Sequence, residues 1–171
     1  MAPGPLDKRI KLMPDISSPK SHILIIGVGN AYRGDDAVGL LVARRLREQL
    51  ADDITIIEQS GEGAALIESW QTAMQVVLID AVHSGATPGT VFRFAAHQQS
   101  IPTQFFRYST HAFSVAEAIE LARALRKLPA SLIVYGIEGK NFAAGIGLSP
   151  EIDKIMPEVV ARIVSDIEIK T

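Results

Sequence analysis

The stretch ILIIGVGNAYRGDDAVGLLVARRL, residues 23–46, decides the first unit of the fold. Four apolar residues, Ile23 to Ile26, run into Gly27 and Gly29, and beyond Asp36 the apolar positions Val38, Leu41, Val42 and Leu46 recur at helical spacing. That is the pattern of a strand, a tight turn and a helix. Turns of this kind dock pyrophosphate in dinucleotide-binding folds, but the fingerprint needs a third glycine three residues after the second. Tyr32 stands there instead. Asp35 and Asp36 then put negative charge at the helix N-terminus, which favours the helix dipole and repels an anionic ligand. The loop is built for a cation or a neutral group.

The remaining chain repeats this alternation. ITIIE (54–58) reads as a buried strand, AALIESW (64–70) as part of a second helix and QVVLIDA (75–81) as a third strand. Gly85, Pro88 and Gly89 mark a turn, followed by a short strand at Thr90 to Phe94 suited to a sheet edge. A polar loop leads to FSVAEAIELARALRKL (113–128), which carries Val115, Ile119, Ala122 and Leu125 on one helical face. SLIVYGIEG (131–139) is a further buried strand. Ser149 and Pro150 are the N-cap and first residue of a last helix, which Pro157 is expected to kink or divide. Strands without polar alternation, separated by helices, predict an α/β fold with a largely parallel sheet covered on both faces.

With 171 residues, 47% of them hydrophobic, one domain with a sizeable core is expected. The net charge of -2 and the absence of a Lys/Arg run interleaved with aromatics argue against nucleic acid as a partner. There is no cysteine, so disulfides, thiolate nucleophiles and cysteine zinc sites are excluded, and any metal must be held by His, Asp or Glu. Residues 1–20 carry prolines and scattered charges without an apolar run of signal-peptide length, and are expected to be a flexible leader ahead of one domain over 21–171. No later segment approaches membrane-spanning length, so a cytoplasmic protein without a membrane partner is expected.

In open α/β sheets the ligand crevice lies beyond the carboxyl ends of the strands. Asp36 follows the first strand by a short loop, Asp80 ends the VVLID run, and His111 precedes a helix. Two carboxylates and an imidazole suit a divalent transition metal with positions left open for a substrate. Each residue also has a bland reading. Asp35 is best explained as a first-turn charge, and Asp80 is as readily a turn or cap carboxylate as a ligand. His83, His97 and His22 are more simply loop histidines bonded to backbone. Glu58 reads as structural, and Glu138, at a strand end beside Gly136 and Gly139, as a crevice residue of open role. EQSGEG places Glu58 where a nucleophile elbow requires glycine, which makes Ser60 a poor nucleophile, and neither HExxH nor a Walker A pattern is present.

GVGNAYRGDDAVG, VVLIDAVHSGATPGTV, STHAFSV and GIEGKNFAAGIGLSPEI, in this order and at these separations, resemble the hydrogenase maturation endopeptidases. The resemblance runs from residue 22 to the last helix. It implies a three-layer α/β/α sandwich around a mostly parallel, five-stranded sheet with one antiparallel edge strand. It also implies removal of a short C-terminal peptide from the nickel-loaded precursor of a nickel-iron hydrogenase large subunit, by an enzyme expected to be monomeric. Carried over position by position, it assigns metal contacts to Asp36, Asp80 and His111. Nickel would arrive with the precursor, held by the precursor's thiolates. Asp36 would act as general base if the metal served only as a recognition mark; otherwise the metal would polarise the scissile carbonyl or activate water. Gly27, Gly29, Asn30, Asp35 and Glu138 would shape the substrate cleft. Many relatives have glutamate at the position of Asp36 and an Asp-Gly-Thr run where this chain has EQSGEG. The reading from another class is a non-catalytic α/β module that senses a metal or binds a nucleotide.

Overall fold

The computed structural model describes residues 23–102, 105 and 114–168. The leader 1–20, His22, His111 and the expected helix start at Phe113 lie outside the described residues. In chain order the elements are β1 (Ile23–Val28), a 3-10 turn (Gly34–Ala37), α1 (Val38–Gln49), β2 (Thr55–Gln59), α2 (Gly63–Ser69), β3 (Gln75–Val82), β4 (Val91–Ala95), α3 (Val115–Ala124), β5 (Ser131–Glu138) and α4 (Pro150–Glu168). The sheet order is β2-β1-β3-β5-β4. β1, β2, β3 and β5 run parallel, and β4 closes the far edge antiparallel to β5, with Phe92 opposite Gly136.

Alternation along the central strands divides the core in two. Leu24, Ile26, Val28, Val76, Leu78, Leu132 and Val134 face α2 and α3, while Ile23, Ile25, Val77, Ile79, Ile133 and Ile137 face α1 and α4. Because β1, β3 and β5 are covered on both faces, they need apolar residues at every position, which is why their sequences show continuous apolar runs. Gly27 exists for packing: a side chain there would strike the backbone of Gly39 and Ala43 Cβ, so β1 and α1 approach closely only with glycine.

Four expectations need correction. β2 is an edge strand, half-buried rather than buried, because it pairs with β1 alone. β3 continues to Val82, so Asp80 lies inside the strand and not at its end. α3 stops at Ala124 and its predicted face member Leu125 is exposed, the chain turning at Arg126 with φ 58°. Finally, Pro157 sits within one continuous α4 and does not divide it. It lies on the solvent side, while Met156, Val159, Val160 and Ile163 bury the opposite stripe, so packing outweighs one missing backbone bond.

Candidate functional site

The carboxyl rim of the sheet is assembled by the loop after β1. Gly29 takes φ 149°, and a side chain there would collide with the Asp36 carbonyl, so only glycine lets the loop turn this tightly. Its N–H donates to Gln59 O at 3.0 Å, tying the loop to β2. The Asn30 side chain accepts from Tyr32 N at 2.9 Å, an Asx turn, and Asn30 N donates to Asp36 O at 3.3 Å. The loop therefore delivers Asp36 at a fixed place.

Asp36 reaches the neighbourhood of Asp80. Asp80 is 7% exposed, in a strand buried on both faces, and its carboxyl is pushed well above the usual carboxylate range. Burial is the main cause and the charge of Asp36 the second, and the Ala81 N–H offsets them only in part. A deeply buried acid beside a second acid is the arrangement by which folded proteins hold two carboxyl groups at different protonation states. Among the described residues no group of three His, Cys, Asp or Glu is arranged to hold a metal. Asp36 and Asp80 are two of the three expected ligands, and His111 lies outside the described residues.

Asp35 points the other way. It is fully buried, and its carboxylate accepts from Lys140 N and Asn141 N at 2.8 Å, from Ser149 N at 2.6 Å and from the Ser149 hydroxyl at 2.8 Å. Burial raises its pKa, but the N–H groups of Ser149, Asn141 and Lys140 outweigh that and hold it below the ordinary value. Asp35 does sit in the first turn of the 3-10 helix, and its carboxylate in addition forms a clamp that joins the β1 loop to the segment after β5. Two backbone bonds, Gly34 N to Gly145 O at 3.0 Å and Gly145 N to Tyr32 O at 2.9 Å, fasten the same pair of segments. Ser149 does precede α4, yet its hydroxyl is spent on Asp35.

Glu138, 1% exposed at the end of β5, accepts from Ser84 N at 3.0 and 2.9 Å, from the Ser84 hydroxyl at 2.7 Å and from Gly85 N at 3.0 Å. It anchors the turn after β3, beyond Asp80. Nothing in the sequence signals Ser84 as its partner, because 54 residues separate them. Glu58 pairs with Arg44 at 2.7 Å and Arg47 at 3.2 Å, a structural role. His97 accepts from Leu132 N at 3.2 Å, as a backbone-bonded loop histidine does, and the His83 ring meets Phe142 edge-on at 5.8 Å. In the EQSGEG loop, Glu62 caps α2 by accepting from Ala64 N and Ala65 N, so this run builds a helix start.

The family model of the hydrogenase maturation proteases matches residues 40–166. That span contains Asp80, Glu138 and position 111, and begins four residues after Asp36. The chain is 23% identical over 147 residues to the hydrogenase 2 maturation protease of Escherichia coli, covering 84% of this chain and 89% of that one. Its fold superposes on the E. coli hydrogenase maturating endopeptidase HybD with TM-score 0.72 at 22% identity, over 87% of this chain and 93% of that chain. It also superposes on the [NiFe] hydrogenase maturation protease HycI from Thermococcus kodakarensis with TM-score 0.66 at 24% identity, over 85% and 91%. The family model spans most of the chain, and the chain belongs to the hydrogenase maturation protease family.

Proposed function

We propose that this protease removes a short C-terminal peptide from the nickel-loaded precursor of a nickel-iron hydrogenase large subunit, acting as a monomer in the cytoplasm. The observation that carries this reading is the Asp36 and Asp80 pair, two carboxyl groups close enough for one to raise the other's pKa at the carboxyl rim of the sheet. No helix among the described residues is long and apolar enough to cross a membrane.

Nickel is treated as part of the substrate. The donor chemistry fits it: carboxylates from Asp36 and Asp80 with the His111 imidazole suit a borderline divalent ion, and the chain has no thiolate of its own to retain one. A cation set between two carboxylates relieves their repulsion and offsets the burial of Asp80. Docking is therefore favoured when the precursor carries its metal. When present, the ion supplies positive charge that can polarise a carbonyl. Where the ion serves as the recognition mark, Asp36 takes a proton from the water that attacks the scissile carbonyl and returns it to the departing amine as the C–N bond breaks. Gly27, Gly29 and Asn30 act by holding Asp36 in place, while Asp35 and Glu138 fix the cleft walls.

Intact-mass analysis of a large-subunit precursor, incubated with the protein in nickel-loaded and nickel-free forms, tests the reading. Loss of one C-terminal peptide from the loaded form alone is the expected result. Equal processing of both forms removes nickel from the account, and no processing of a verified loaded precursor favours a metal-sensing module. A fully active His111→Ala protein sinks the ligand assignment.

A further inference from the structure

Among the described residues the exposed large apolar side chains are Tyr32, Met74, Leu121, Leu125 and Ile146. Two of them, Tyr32 at 71% and Ile146 at 85%, stand on the two segments that the Asp35 clamp joins. Arg33 and Gly145 form a parallel bridge there, with Tyr32 just before the one and Ile146 just after the other. Asp36 N donates to Arg33 O at 3.2 Å, so this bridge is one hydrogen bond from the residue assigned as general base.

A single exposed apolar residue is ordinary on a protein surface. These two are set apart by their backbone. Ile146 stands between Gly145 at φ 154° and Gly147 at φ 100°, in a loop position where small or polar residues are the usual choice. A Cβ built on either glycine would meet nothing within 4 Å, so the backbone on both sides of Ile146 is open. Glycine in such a place lets another backbone approach closely. Both segments are also held in position. The Asn30 side chain accepts from Tyr32 N at 2.9 Å, Gly145 N donates to Tyr32 O at 2.9 Å, and Gly34 N donates to Gly145 O at 3.0 Å. Two apolar side chains fixed in water gain free energy when a partner covers them, and order already in place is not lost again on binding.

We propose that Tyr32 and Ile146 form the platform on which the precursor docks an apolar side chain close to the bond that is cut, its backbone passing the open glycines at 145 and 147. This rests on the reading of the chain as a large-subunit protease and adds a substrate contact outside the acid pair. The carboxyl groups recognise the loaded metal, and the platform recognises the polypeptide beside it. Tyrosine suits the task because it offers a large, rigid contact surface at low entropic cost. Leu121 and Leu125, at the other end of the chain's exposed apolar set, belong to α3 and its C-cap and flank no such bridge.

Processing of the nickel-loaded precursor by the full chain is followed by intact mass at increasing precursor concentration, for the wild type and for Tyr32→Ser, Ile146→Ser, Tyr32→Phe and Leu125→Ser. Tyr32→Ser and Ile146→Ser should each raise KM about tenfold while kcat stays within about twofold. Their melting temperatures should not change, because both side chains are exposed. Tyr32→Phe keeps the ring and should keep the wild-type KM, and so should Leu125→Ser. A wild-type KM in both folded serine variants at the platform overturns the proposal. A fall in kcat at unchanged KM does so too, since it makes the two residues positioning groups for Asp36, and so does an equal rise in KM for Leu125→Ser. If the wild type cuts no verified loaded precursor, the proposed function fails instead, and the Kd of the same precursor is compared across the variants. Weaker binding by Tyr32→Ser and Ile146→Ser then upholds the platform, whereas equal binding, or none by the wild type, removes it as well.

Discussion

Asp35 and Asp80 are both buried carboxyl groups at the carboxyl rim of one sheet, and their surroundings treat them in opposite ways. Asp35 receives three backbone N–H groups and a hydroxyl, and its charge is stabilised below the ordinary carboxylate range. Asp80 receives little compensation, stands near the charge of Asp36, and is pushed well above that range. Burial alone therefore does not distinguish a structural acid from a chemical one. The number of hydrogen-bond donors around the carboxylate does. Glu138, with its donors from Ser84 and Gly85, is hydrogen-bonded as a structural acid is.

The contrast is sharpest in a pair of substitutions. Asp36→Ala or Asp80→Ala should lower precursor processing by about 10² to 10⁴-fold, the range lost with a positioned acid or base, while the melting temperature is kept or raised. Asp35→Ala should do the reverse in kind. Leaving three buried backbone N–H groups without an acceptor should cost about 3 kcal/mol or more in chemical denaturation, with activity lost only as the fold is lost. Asp80→Ala unfolding as readily as Asp35→Ala would dissolve the distinction.

A smaller effect is expected from Glu138→Gln. The amide retains one acceptor and turns a donor toward the Ser84 and Gly85 N–H groups, for a cost of about 1–3 kcal/mol by the same measurement. The pH dependence of Asp35 sharpens the comparison further. Its folded pKa lies below the unfolded value of 3.8, so its contribution is complete above that value and is lost as pH falls through the folded pKa. Acid unfolding followed by circular dichroism should thus lose part of its pH slope in Asp35→Asn. The least effect belongs to Arg44→Ala, which removes an exposed ion pair to Glu58 and should change stability by less than about 1 kcal/mol.

Much of this was legible in the sequence because it is local. The apolar runs of β1, β3 and β5, the glycine turn after Val28, the Pro150 helix start and the edge position of β4 all follow from residue spacing. Where tertiary partners enter, local reading fell short. β2 carries as apolar a run as the central strands, and only the strand order leaves it at an edge. Pro157 is a helix breaker by local rule, and the buried stripe of α4 overrides it.

The motif GVGNAYRGDDAVG by itself determined that an acidic loop without the third glycine of a dinucleotide fingerprint follows the first strand, since those are properties of charge and glycine spacing along one short segment. Which acid does what was decided only by the fold. The partners of Asp35 lie 105 to 114 residues away, at Lys140, Asn141 and Ser149, and the neighbour that raises the pKa of Asp80 comes from another strand's loop. A side chain's protonation and role depend on the donors and charges within a few ångströms, and the chain brings those together only when the sheet has formed.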